Sequence, residues 1–152
     1  MRPRLVIGIG NTMRRDDGAG LAVAEAVRAA RPEIEVLTTG GDGAALLDAW
    51  AGARRVVVID AARSGRPPGS IQRFDAAASA LPRVMSSAST HVFGLADAVE
   101  LARALGALPA GLIVYAVEGA DFTAGEGLSP QLMAAVPGVA DLVCAELDRD
   151  DA

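Results

Sequence analysis

The chain has 152 residues, of which 51% are hydrophobic, and a formal net charge of −5. That is enough apolar sequence for one globular core, and the acidity leaves no basic field to draw the chain to nucleic acid or anionic lipid. All 14 basic residues are arginine, which removes every mechanism that needs a lysine.

Residues 5–9 form a short apolar run that ends at glycine and read as a buried parallel strand. The run is too short for a signal peptide, and no apolar run approaches the ~20 residues of a membrane span. Cys144 is the single cysteine, so no internal disulfide can form, which suits a reducing cytoplasm. The expected location is therefore cytoplasmic.

Asp16 or Asp17 is expected to cap a helix over residues 21–30 that stops near Pro32. Residues 34–37 read as a second strand. Gly40-Gly41-Asp42-Gly43 reads as a turn, and residues 44–50 as a helix. The run Arg55-Val56-Val57-Val58-Ile59 is a central strand that ends at Asp60. A loop over residues 64–70 leads to an edge strand at 70–74. A small polar stretch at 86–90 precedes a helical pattern over 92–105. Residues 111–117 are the last strand, followed by a glycine-rich loop. Ser129 is placed to cap a helix with Pro130 in its first turn, and Pro137 is expected to break or kink that helix. Cys144 falls on its apolar face and reads as core. Strands alternate with helices. The expected fold is α/β: a three-layer sandwich with a twisted, mostly parallel five-stranded sheet and helices on both faces. No linker or internal repeat divides residues 1–152.

Ligand sites in open α/β sheets gather at the carboxyl ends of the strands. Asp16 and Asp17 follow the first strand, Asp60 ends the central one, and His91 precedes a helix. Two carboxylates and an imidazole suit a divalent transition metal with open positions. Each residue also has a plain reading, as a helix cap, a turn residue or a surface histidine.

Other site types fail on particular residues. A dinucleotide fingerprint lacks its third glycine, because Met13 stands there. A P-loop needs a lysine. A two-component receiver also has an acidic pair and an aspartate ending its third strand. It requires a lysine after the fifth, however, where this chain has Val117-Glu118-Gly119. The G-x-S-x-G of serine hydrolases is absent.

Four motifs then occur in order. They are Gly8, Gly10, Asn11, Asp16, Asp17, Gly18 and Gly20; Val58-Ile59-Asp60-Ala61 with Gly65, Pro68 and Gly69; Ser89, His91, Gly94, Leu95 and Asp97; and Gly127-Leu128-Ser129-Pro130. With these the chain resembles, nearly end to end, the hydrogenase maturation proteases. Those enzymes trim the C-terminal extension from the large-subunit precursor of nickel-iron hydrogenase.

The resemblance implies an endopeptidase formed as a single domain over residues 1–152. It implies that Asp17, Asp60 and His91 are both the metal ligands and the catalytic residues. The metal is nickel carried by the substrate precursor, with zinc or cadmium able to substitute in vitro. Asp16 is then a helix cap or a supporting partner of Asp17. Two positions depart from the family pattern: Arg15 stands where glycine is usual, and Gly40-Gly41-Asp42-Gly43 lacks a threonine. Three alternatives stay open: a metallohydrolase carrying its own zinc, a non-catalytic receiver-like or precursor-binding protein, and a family member acting on a different nickel-protein precursor.

Overall fold

The computed structural model describes residues 2–82 and 94–149. Within them β1 (Arg2–Ile9), β2 (Glu35–Thr39), β3 (Ala53–Ala62), β4 (Ile71–Asp75) and β5 (Gly111–Glu118) form one sheet in the order β2-β1-β3-β5-β4. The first, second, third and fifth strands run parallel, and β4 lies antiparallel to β5 at an edge. The helices are α1 (Ala19–Ala30), α2 (Gly43–Trp50), α3 (Leu95–Ala104) and α4 (Pro130–Leu147). The expected sandwich, with its mostly parallel five-stranded sheet, is the one observed.

Alternation along the strands builds two cores. Leu5, Ile7, Val56, Val58, Leu112 and Val114 face α2 and α3, against Leu46, Trp50, Val99 and Ala102. Val6, Val57, Ile59, Tyr115 and Val117 face α1 and α4, against Val23, Val27, Leu132 and Val143. Burial on both faces is why the strands read as unbroken apolar runs.

The glycines of the first motif allow backbone to meet backbone. A Cβ on Gly20 would lie 2.3 Å from the Ile9 carbonyl oxygen and 2.4 Å from that of Ile59. One on Gly8 would lie 2.4 Å from the Gly20 oxygen. The start of α1 therefore sits directly on β1 and β3.

Two expectations for α4 are corrected. The helix runs unbroken through Pro137. Pro137 and Met133 are both exposed, so the carbonyl that proline leaves without a helix donor faces water. Ser129 occupies the N-cap position but makes no capping bond with its side chain, because its hydroxyl is engaged elsewhere. Near the other end of α4, buried Glu146 accepts hydrogen bonds from Tyr115 Oη at 2.8 Å, Arg73 Nε at 2.7 Å and Arg73 Nη2 at 3.1 Å. These bonds latch α4 to β5 and to the edge strand β4.

Gly20→Ala should cost at least about 1–3 kcal/mol in urea unfolding, because the obstructing atoms are backbone and cannot swing away. Gly138 makes the control. It is a helix-interior glycine with no atom within 4 Å of an added Cβ, so Gly138→Ala should gain about 0.5–1 kcal/mol.

Candidate active site

The strand order turns back at β1. The chain leaves β1 for β2 on one side, then returns to β3 on the other. Such a switch point opens a crevice beyond the carboxyl ends of the two strands. Asp60 lies near the end of β3, and Asp17 follows β1 in a single 3-10 turn (Arg15–Gly18).

The approach to that turn is tightly folded. Asn11 Oδ1 accepts from the Met13 amide at 2.9 Å, and the Asn11 amide donates to the Asp17 carbonyl at 3.2 Å. A Cβ on Gly10 would lie 2.0 Å from that same carbonyl oxygen. The Gly8-Ile9-Gly10-Asn11 turn thus folds the acidic pair back over the end of β1 and does not cradle a phosphate.

Neither aspartate caps α1, whose N-cap is Gly18 with no side-chain bond. This corrects the expected capping role, and the reason is that both carboxylates are used elsewhere. Asp16 is fully buried and accepts four hydrogen bonds. They come from the Ala120 amide (2.7 Å), the Asp121 amide (3.0 Å), the Ser129 amide (2.7 Å) and Ser129 Oγ (2.8 Å). Burial pushes its pKa up, but the donors of Ser129, Ala120 and Asp121 outweigh burial and hold it below the usual carboxylate value.

Asp17 is 7% exposed, with the Arg14 guanidinium 3.9 Å from its carboxylate. Asp60 is 4% exposed. Its burial, reinforced by the negative charge of Asp17, raises its pKa well above the usual value, and a hydrogen bond from the Ala61 amide opposes the rise only in part. The structure thus brings Asp17 and Asp60 within electrostatic reach of each other. His91 lies outside the described residues. Among the described residues no three His, Cys, Asp or Glu side chains are grouped to hold a metal ion.

Three supporting features were not legible in the sequence. Glu118, at the end of β5, is buried and accepts from Ser64 Oγ, the Ser64 amide (2.8 Å) and the Gly65 amide (3.3 Å), fixing the loop after β3. The Arg63 guanidinium lies 4.6 Å over the Phe122 ring. Arg15 adopts φ 43°, a left-handed conformation that glycine takes freely. The arginine is accommodated because its amide donates to the Gly125 carbonyl (3.0 Å) and its guanidinium reaches the Glu126 carbonyl (3.4 Å) and the Asp121 carboxylate (3.7 Å). The 40–43 turn serves as a cap: Asp42 accepts from the Ala44 amide at 3.1 Å and starts α2. Cys144 is half-buried against the α1 and α4 core.

A mostly parallel α/β sheet thus carries two buried carboxyls at its switch point. Residues 21–146 match the hydrogenase maturation protease family, and the chain belongs to that family. It is 34% identical over 136 residues to the hydrogenase expression/formation protein HupD of Thiocapsa roseopersicina, covering 84% of this chain and 60% of that protein. The chain thus spans only about three-fifths of the length of that relative. It is 30% identical over 148 residues to the hydrogenase 2 maturation protease of Escherichia coli, covering 94% of this chain and 89% of that one. Among solved structures, the hydrogenase maturating endopeptidase HybD of Escherichia coli superposes with a TM-score of 0.80 at 24% identity, covering 95% and 91% of the two chains. HybD from Thermococcus kodakarensis superposes at 0.73, with 24% identity and coverage of 96% and 99%.

The two perturbed aspartates act on stability with opposite signs. Asp60 has a raised folded pKa, so its contribution is full below the unfolded value and is lost as pH rises through the folded one. Asp60→Asn should therefore melt higher than the parent at pH 7, with the difference shrinking toward pH 4. Asp16 has a lowered folded pKa, so its contribution is present above the unfolded value near 3.8 and is lost as pH falls further. Thermal melts of Asp60→Asn, Asp16→Asn and the parent at pH 3, 4 and 7 check both signs.

Proposed function

We propose that the chain is an endopeptidase that removes the C-terminal extension from the nickel-loaded large-subunit precursor of a nickel-iron hydrogenase. It acts as one domain in the cytoplasm. The observation that carries this reading is the pair of nearly buried carboxyls, Asp17 and Asp60, at the β1/β3 switch point of a chain in this family. The acidic chain carries no basic field to draw it to nucleic acid, and among the described residues no helix is long and apolar enough to cross a membrane.

Asp17, Asp60 and His91 meet the nickel that the precursor already carries. His91 stands four positions before Leu95, the first residue of α3, and α3 packs on the sheet face to which Asp60 belongs by strand alternation. The nickel is part of the substrate, so recognition is a checkpoint: the precursor is held only when its own ligand set and that of the protease meet on one ion. Burial and the charge of Asp17 favour the protonated form of Asp60, and facing a cation favours release of that proton. A carboxylate freed in this way beside the scissile bond can take a proton from the attacking water.

Nickel-loaded and nickel-free precursor, incubated with the protein and followed by mass spectrometry, test the activity. Only the loaded form should lose its C-terminal peptide. His91→Ala should remain folded and leave loaded precursor uncut, and full cleavage by that variant would falsify the nickel-centred reading. Binding of loaded precursor should strengthen as pH rises through the raised pKa of Asp60. Asp60→Asn should bind more weakly and lose that slope in a calorimetric titration. Nickel or zinc found tightly bound to the purified protein alone would instead favour a resident-metal hydrolase.

A further inference from the structure

Asp16 stands apart from the groups used above. Its carboxylate is fully buried, yet all four of its hydrogen-bond donors come from residues 120–129, far along the chain. The backbone repeats the connection. The Asp16 amide donates to the Asp121 carbonyl (2.9 Å), the Arg15 amide to the Gly125 carbonyl (3.0 Å), and the Gly125 amide returns to the Met13 carbonyl (2.9 Å). Three residues complete one 3-10 turn, so neighbouring side chains diverge by about 120°. Asp16 and Asp17 are neighbours in such a turn. When Asp16 points into the 120–129 loop, the direction of Asp17 is fixed with it. The Asp17 backbone has no slack to compensate, because its amide donates to the Arg14 carbonyl (3.0 Å) and its carbonyl accepts from the Asn11 amide (3.2 Å).

We propose that Asp16 is a positioning residue for the processing reaction: clamped by Ser129, Ala120 and Asp121, it sets the direction in which Asp17 faces Asp60. Ser129 belongs to the same device. As the hinge between the loop and α4, it transmits the placement of that helix to the acidic turn. The fold survives without this aim, since the core on either face of the sheet contains none of these polar groups. The aiming role is therefore read in turnover, separately from the stability that the same hydrogen bonds contribute.

Ser129→Ala removes one donor of four and leaves the backbone donors in place. It should lower kcat on nickel-loaded precursor about tenfold, with KM within about twofold and an unchanged circular dichroism spectrum, as when a residue orienting a metal-facing group is lost. Ser129→Thr, which returns the hydroxyl, should restore most of the rate. Asp16→Asn should lose about 10–100-fold in kcat. In both impaired variants the side-chain carboxyl carbon of Asp17 should shift in the NMR spectrum. Wild-type kcat with an unmoved Asp17 signal in Ser129→Ala would overturn the proposal, as would rate losses that only follow the fraction of unfolded protein. The proposal rests on the processing reading, and the two fail separately. If the parent protein leaves loaded precursor uncut, that reading falls, and the Asp17 signal alone then decides whether Asp16 aims its neighbour.

Discussion

The site depends on one steric constraint, the direct contact of α1 backbone with sheet backbone. Gly20 lies against the carbonyl oxygens of Ile9 and Ile59, and Gly8 lies against Gly20. Side chains there would lift the helix from the sheet and carry the 3-10 turn away from β3. With hydrogens alone in the gap, the turn that bears Asp16 and Asp17 sits over the ends of β1 and β3. The parallel strands contribute direction: β1 and β3 end on the same side, and the chain reverses its path between them.

Asp60 is placed where a carboxylate is poorly solvated and faces a second acid. A protein selected only for stability would not keep it there. Under the proposed reading, such a carboxyl couples the arrival of a cation to proton release. Asp16, one residue from Asp17, has the opposite environment, with four donors around one carboxylate. Adjacent residues of the same type are thus separated in chemistry by where a tight turn directs them.

The elements, their order and the class of the sheet were legible because they rest on local patterns: apolar runs, glycine stops and helical spacing. The positions of Asp17 and Asp60 followed from the rule that strand ends carry sites. What the sequence concealed was long-range. Asp16 looked like a helix cap and Ser129 like another, and nothing in the local pattern marked Glu146. Each instead binds groups distant in the chain. Pro137 pointed to a broken helix, but an exposed position lets water take the orphaned carbonyl. Arg15 looked like a disturbance of the loop. It holds the backbone conformation that glycine favours, with Gly125 bare beneath its guanidinium.

The packing of α1 has a consequence for how the molecule is made. Its inner residues Val23 and Val27 are buried together with Val139, Val143 and Leu147 of α4, which lies far along the chain. Until α4 has emerged from the ribosome, α1 and β1 lack that cover, and their apolar surface is open to other chains. The acidic turn shares the delay, because Asp16 has no donors until residues 120–129 have emerged. The turn that bears Asp16 and Asp17 therefore gains its full set of hydrogen bonds only after residues 120–129 have been made. Until α4 docks, the α1 face of the sheet stays an open apolar surface.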